Sequence, residues 1–598
     1  MYCPSRRAKI GAMKAGRRKS KRLWVAAACL VAVAAGAGVL SSRHRPVVPA
    51  VSPVSADWAR SVAYVPLDDR TDNTDAVRYE AAACGYTLVL PPEDAYSTRL
   101  DGQHANSNGT RYGDRAALFE WVRAMDKQGC NLFLLSLDQL FSGGLVNSRW
   151  LSADEDLAFS DGAKESETQA FDRIILALGD DPDNRIYLFD SVMRLASTVG
   201  YCGLGLDDYT ALRAYGSVPR KTLSGADLTL HNIFAAYPRG ADGSTPAETQ
   251  NAEAVSLTDR QIGNYLSARR RKLRLLAHVL DAVKGRDNFH LLVGVDDSTG
   301  GGSIQENEIA YIKAHIGSGA VVSGVDSLAR LQLARMALAD RPPVTAYVRY
   351  FGGGEDSPSS KYDRITLRAD VGEQLSLLGE RIYDASAADL EVLVLTAPKS
   401  GVTADETISA LTARLRENQE KGKPTLLIDA SVGSYEGPET QALLENADFA
   451  GLLGYAGRYD YASIVGVGLS MGFSRYACLA AGLGASTADD QQRQLANSML
   501  LSMVYAGGVH TQFDSAVAAQ GCDSANIVAS GEVYTRLENE LLSLLRENSG
   551  AVLSGLSSGG VLTDLSGGKR GAKPVSLLGA TLPWHRSFEV SLSLGVGS

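Results

Sequence analysis

A chain of 598 residues, 45% hydrophobic and 21% charged, is ordinary globular material, neither disordered nor a bundle of membrane spans; at roughly 150 residues per domain it predicts two to four domains. The net charge is −9, but residues 1–22 are strongly basic and the remainder acidic. No basic groove is left in the body, which excludes a general nucleic-acid binder.

The basic segment 1–22, with Arg17-Arg18-Lys19-Ser20-Lys21-Arg22, runs into an uncharged apolar stretch, Leu23 to Leu40. This pattern reads as a single membrane anchor or as the core of an export signal, with Ala35-Gly36-Ala37 as a cleavage site. The expected location is therefore the cell membrane, single-pass with the body outside, or secreted if the signal is cleaved. Residues 41–60, with Pro46, Pro49 and Pro53, form a tether. Beyond the apolar run stand Cys84, Cys130, Cys202, Cys478 and Cys522, whose spacing matches no metal motif and whose odd number leaves one unpaired in a monomer.

A βα rhythm follows. Strand 62–67 precedes a helix near 74–84, strand 86–90 and helix Asp114–Gln128, for which Asp114 is the expected cap. Strand 131–137 leads to Gly143-Gly144 in a turn and Arg149 beyond it, then strand 185–190 to Arg194. Residues 200–256 are the least patterned, and 239–254 reads as a surface loop. An amphipathic helix, Thr258–Lys284, carries Arg269-Arg270-Arg271-Lys272 on what reads as a solvated face. Strand 289–295, a helix bearing Glu306 and Glu308, strand 320–323 and helix 326–339 complete a first α/β domain, 61–343. Within the second, 344–598, strands near 344–350, 390–396, 424–429 and 450–455 alternate with helices near 370–385 and 403–421; helices 487–506 and 531–547 and closing strands at 583–594 follow. The expected fold class is α/β with mostly parallel sheets, barrel-like or doubly wound, plus a second, smaller α/β unit. No short-period repeat is present.

The strands share an ending. Residues 62–65 lead to Asp68-Asp69-Arg70 and Asn73, 132–137 to Asp138, 185–189 to Asp190, 290–295 to Asp296-Asp297, and 426–428 to Asp429. Carboxylates at the carboxyl ends of apolar strands line the crevice of open α/β sheets and the top face of barrels. For Asp190, Asp326 and Asp429 a helix cap or local ion pair is the simpler reading. Doubled acids cost electrostatic energy that a single cap avoids, so Asp68, Asp69, Asp296 and Asp297 are read as functional.

Val65 to Asn73 resembles the V-P-L-D-D-R-P-x-N signature of a bacterial family catalogued as domain of unknown function 4127. Further support comes from Ser136-Leu137-Asp138, Gly143-Gly144-Leu145, Ser148-Arg149, Tyr187 to Arg194, Gly294 to Asp297, Gly324-Val325-Asp326, Tyr455-Ala456-Gly457 and Pro583 to Glu589. The resemblance spans nearly the whole body. It implies an α/β fold and a site on these residues, without a settled reaction. Thr71 stands where the family has Pro, and Arg458-Tyr459-Asp460 where it usually has Trp-Asn-Thr. The second departure removes a polar-aromatic corner of the implied site, so either the substrate differs or activity is weakened.

Carboxylates, arginines and tyrosines in one crevice suit sugar chemistry. Glycosidases set two carboxyls about 5 Å or about 6.5–9.5 Å apart. Gly294-Val295-Asp296-Asp297 is similar to a substrate-assisted hexosaminidase arrangement, which implies Asp297 as general acid and Asp296 as orienter. Asp68, Asp69, Arg70, Asn73, Asp138, Gly143, Gly144, Arg149, Arg194 and Tyr455 complete the candidate site. The expectation is a carbohydrate-active hydrolase whose partners are a carbohydrate or cell-wall polymer and, through the amino terminus, the membrane. Two alternatives stand beside it. One is a polysaccharide-binding protein with Tyr347, Tyr350, Phe351 and Tyr455 as platforms; the other is a Mg- or Mn-dependent hydrolase. The histidines show no zinc spacing, no cofactor is indicated, and phosphate-loop, dinucleotide and Gly-x-Ser-x-Gly motifs are absent.

Overall fold

The first strand, β1 (Ser61–Val65), is buried at every residue, as are the last four positions of Leu132–Ser136. Strands buried on both faces read as unbroken apolar runs and belong in parallel sheets covered by helices. A computed structural model describes residues 57–246, 257–358, 360–431, 438–457 and 463–597, all within one compact unit, 51–598. Outside the described residues lie the basic segment, the apolar run 23–40, most of the tether, part of the predicted loop 239–254, and Arg458-Tyr459-Asp460. Among the described residues no helix is long and apolar enough to cross a membrane.

Two open parallel sheets result. The first joins β1 to β2 (Thr87–Val89), β3 (Leu132–Ser136), β4 (Arg185–Val192), β5 (Phe289–Val295) and β6 (Ala320–Ser323), in the order β2-β1-β3-β4-β5-β6. The second joins β7 (Val344–Phe351), β8 (Gly379–Arg381), β9 (Leu390–Leu395), β10 (Thr425–Asp429) and β11 (Gly454–Gly457), in the order β8-β7-β9-β10-β11. Every neighbouring pair within both sheets is parallel. Of the two expected α/β forms this is the doubly wound one, and both sheets begin with the same 2-1-3-4-5 order, a repeat of topology that the sequence does not display.

Side chains alternate across each strand and so build separate cores. Ala63, Val65, Phe133 and Leu135 face one layer, with helices α1 (Arg115–Lys127) and α2 (Asp259–Ala282). Val62, Tyr64 and Leu134 face another, shared with Val348, Val394 and Ile428 of the second sheet. That shared layer contains α3 (Leu328–Leu338) and α4 (Ile464–Ala480), packed on one another. The far face of the second sheet packs under α5 (Ala404–Glu420), α6 (Ala488–Met499) and α7 (Gly531–Asn548).

Some boundaries moved for local reasons. The helix expected over 370–385 covers only Leu367–Leu375, and Gly379 opens β8 in register with Val344. A Cβ at Gly379 would lie 2.2 Å from the Val344 carbonyl oxygen, so glycine permits this pairing. Helix α4 has no sequence signal because it is buried nearly all round and shows no polar stripe. The helix expected over 487–506 runs into a wider-wound stretch, Leu500–Val509, kinks at Gly508 (φ 169°, ψ −35°) and is followed by a separate helix, His510–Ala519. The tail forms an antiparallel hairpin, Val575–Thr581 with Ser591–Val596. Cys84, Cys130, Cys202, Cys478 and Cys522 are free thiols.

Candidate functional site

In doubly wound sheets the crevice opens where strand order reverses, at the carboxyl ends of the strands. Here that point lies between β1 and β3. The turn after β1 folds on itself: the Asp68 carboxylate accepts from Arg70 Nε at 2.9 Å, from the Arg70 backbone N–H at 3.1 Å and from Asn73 Nδ2 at 2.9 Å. Arg70 then reaches past β1 to Asp326, beyond β6, engaging both its oxygens through Nη1 and Nη2. Asp326, expected to cap or pair locally, is thus a long-range partner of the signature arginine, and the cap of the helix it precedes is Ser327.

The two doubled acids lie at this same end of the first sheet, and every carboxylate in them is held. Asp296 accepts from Arg149 Nε at 2.9 Å and Nη2 at 2.6 Å, while Asp297 accepts from Arg194 Nη1 at 3.2 Å. Thr198 Oγ1 receives both Arg149 and Arg194. Asp69 turns the other way, taking the Thr98 N–H at 3.0 Å and the Trp584 indole N–H. Asp68, Asp69 and Asp296 are buried; Asp297 keeps 26% of its side-chain surface. Burial pushes Asp296 up despite Arg149, pushes Asp68 up despite Arg70, and raises Asp69 to about 6 against its two hydrogen bonds.

A lid from the far end of the chain completes the crevice. The guanidiniums of Arg70 and Arg586 lie over the Trp584 ring, 5.3 Å and 5.2 Å from its centroid. Among the described residues Arg586 donates only to the carbonyls of Ala525 and Val199. Burial, and then the nearby charges of Arg194, Arg70 and Arg149, lower it to about 10. Four arginines therefore share one neighbourhood. Glu589 lies 4.0 Å from Arg70, its Oε2 has no hydrogen-bond partner, and burial raises it well above the carboxylate range.

Asp72 differs from its neighbours. It is half-buried, and its carboxyl has no hydrogen-bond or ion-pair partner among the described residues. Burial, reinforced by Asp326, pushes it up to about 6 against Arg70. It borders two cavities. One, about 240 Å³, is lined by Arg70, Tyr505, His510, Phe588 and Glu589; the other, about 50 Å³, by Asp326, Ser463, Gln494 and Asn497 among others. Asp72, Trp584 and Glu589 lie inside the family-matching runs 65–73 and 583–589 but were not named individually as site residues, and Gln494 was not singled out from sequence at all. The adjacency of Asp72 to the Asp-Asp-Arg run was the available signal, since a third acid so close to the pair raises the same electrostatic cost.

Other expected residues fall elsewhere. Asp138 is fully buried beneath the crevice, bound to Lys272 Nζ and to Ser191 Oγ at 2.8 Å. Lys272 also meets Asp190 at 2.7 Å. Although burial opposes it, Lys272 holds Asp138 below its ordinary value; Asp190, where burial prevails, rises to about 7. The basic cluster of α2 is thus corrected from a solvated face to a buried one. Arg269 pairs with Glu308 at 2.8 Å and Arg271 with Glu167 at 2.8 Å, because α2 lies on the sheet and its polar stripe meets buried acids. Gly143 and Gly144, at φ 74° and 122°, bring backbone close to protein rather than to open space: Gly143 O accepts from Gly113 N at 2.8 Å, and Leu145 N donates to Leu67 O at 3.3 Å. Tyr455 is buried in the second lobe, edge-on to Phe449, though Ala456 and Gly457 after it border the smaller cavity. Among the described residues no group of three or more His, Cys, Asp or Glu side chains is placed to hold a metal.

No curated protein and no solved structure matches this chain. A family profile does, across residues 62–593, and it includes the Asp68 turn, both doubled acids and the Trp584 lid. By that match the chain belongs to the family described as Protein of unknown function (DUF4127).

Proposed function

We propose that this protein is a carbohydrate-active hydrolase working outside the cell, tethered by or released from the 23–40 run, and that its reaction takes place where Asp72 meets the two cavities. One observation carries the reading: at the smaller cavity stand two carboxyls in opposite circumstances. Asp72 has no hydrogen-bond or ion-pair partner among the described residues and is pushed up to about 6, whereas Asp326 is gripped through both oxygens by Arg70. Environments that separate two carboxyls in this way are what acid and charge-stabilising roles require. In this reading Asp72 gives its proton to the leaving glycosidic oxygen. Asp326 supplies the negative charge that faces the developing oxocarbenium ion, and water then adds to the anomeric carbon and returns a proton to the Asp72 carboxylate. Asp297, the more exposed member of its pair, binds sugar hydroxyls beside Arg194, and Asp296 keeps Arg149 in place.

The test is turnover by purified full-length protein of a panel of chromogenic glycosides and wall polymers, with and without chelator. Activity that survives chelation and falls by roughly 100-fold or more in Asp72→Asn, with sugar binding kept, is the expected result. Loss on chelation would move the site to metal-assisted hydrolysis. Binding without turnover of any substrate would leave a polysaccharide receptor.

A further inference from the structure

We propose that the smaller cavity is an acetamido pocket, with Gln494 as the recognising side chain, so that the sugar taken is an N-acetylated amino sugar. The inference rests on the placement of the substrate in the Asp72 crevice. Gln494 lies on α6, is 2% exposed and lines the cavity, yet neither its Oε1 nor its Nε2 has a hydrogen-bond partner. Its neighbour Gln492, by contrast, is paired at both atoms. Its Nε2 donates to Leu556 O and Lys573 O, both at 3.1 Å, and its Oε1 accepts from Lys573 N at 3.1 Å. An amide left unpaired in a folded interior carries a desolvation penalty at each atom, so a group that fills the space and answers both atoms is strongly favoured. Ser463 Oγ, on the same cavity wall, is unpaired as well.

The ligand must offer a donor and an acceptor side by side. An amide does so in one plane, as a single hydroxyl does not. Ala76, Ile464, Val467 and Leu501 form an apolar part of the wall, which suits a methyl group, beside the polar side chains of Arg330, Asn497, Ser498 and Ser502. Size agrees: about 50 Å³ of space, at roughly 10–15 Å³ per water-sized occupant, takes about four heavy atoms. An acetamido group has a nitrogen, a carbonyl carbon, an oxygen and a methyl. The ring then sits outside, against Asp72 and Asp326.

The measurement is titration of full-length protein with chitobiose, cellobiose and the corresponding glucosamine dimer, with saturation-transfer NMR on the acetyl methyl. Chitobiose is expected to bind at least tenfold more tightly than either competitor. Gln494→Leu should erase that preference while leaving the melting temperature of the unliganded protein unchanged or higher, because an unpaired amide has been removed. Gln494→Met, which keeps the length of the side chain, substitutes should the leucine variant fail to fold. Equal binding of the three dimers, tighter binding of the ammonium form, no binding at all, or an acetamido preference that survives in both variants would overturn the proposal. A Gln494-dependent preference with no polymer cleaved defeats only the hydrolase reading; cleavage of unacetylated glycosides without that preference defeats only this one.

Discussion

Lys272→Met tests the buried network under the crevice. The lysine ammonium sits between Asp138 and Asp190, with side-chain exposures of 8%, 0% and 4% respectively. Methionine preserves the packing of the aliphatic stem but removes the only cation the two acids share. Taking one partner from a buried ion pair typically costs about 3–5 kcal/mol, since a charge is left uncompensated in a low dielectric. Asp190, already near 7, takes up a proton, so the cost falls mainly on Asp138, which Lys272 now holds below its ordinary value. Urea unfolding at neutral pH should show a lower midpoint with an unchanged slope. Arg274→Met is the control on the same helix: its side chain is 52% exposed and paired to a 47% exposed Asp154, so its loss should be under about 1 kcal/mol. Adding Asp138→Asn to Lys272→Met should recover part of the loss. If Lys272→Met costs no more than the control, the lysine lies on a solvated face and the account of the basic cluster is wrong.

Three further outcomes follow from the same geometry. Asp69 is raised to about 6, so the stability it contributes is complete below the unfolded carboxyl value and is lost as pH rises through 6. Asp69→Asn should therefore shrink the fall in stability between about pH 3 and 7 by on the order of 2–3 kcal/mol, and an unaltered pH profile from chemical denaturation would contradict the burial assigned to it. Trp584→Phe keeps a ring under the Arg70 and Arg586 guanidiniums but withdraws the indole N–H from Asp69, for an expected loss of about 1–3 kcal/mol by urea midpoint; a silent substitution would detach the lid from the signature turn. At Gly143, φ is 74° and a Cβ would stand 2.7 Å from Gly113 O, whereas Gly162, φ 88°, has nothing within 4 Å. Gly143→Ala should exceed Gly162→Ala by roughly 1 kcal/mol or more in thermal unfolding, and equal costs would mean the turn has room after all.

Much of the scaffold was legible from residues near one another. Asp114 was expected to cap α1 and accepts from Ala117 N at 3.1 Å; Thr258 opens α2 with a full capping box. Strand 320–323 appears at the expected bounds, and 289–295 likewise. Strand order in the first sheet reverses between β1 and β3, whose ends carry two of the acidic runs read from sequence. What failed was any judgement of a side chain's fate from its neighbours in sequence. Arg269 and Lys272 look like surface charge until Glu308, Asp138 and Asp190 are brought against them. Gln494 looks like one more polar residue on an amphipathic helix until its two amide atoms are found unpaired.

The sequence by itself determined the alternation of strand and helix, the parallel sheets, the helix starts and the carboxylates at strand ends. Each of these is set by period, capping and turn chemistry within a few residues. Only the tertiary structure decided which acids are occupied and which is free. Arg70 and Asp326 are separated by 256 residues, and Trp584 and Asp69 by 515. A carboxyl's charge depends on burial and on the cation beside it, and over such separations those are fixed by packing, so a residue as plain in the sequence as Asp72 is left at the cavity without a hydrogen-bond or ion-pair partner among the described residues.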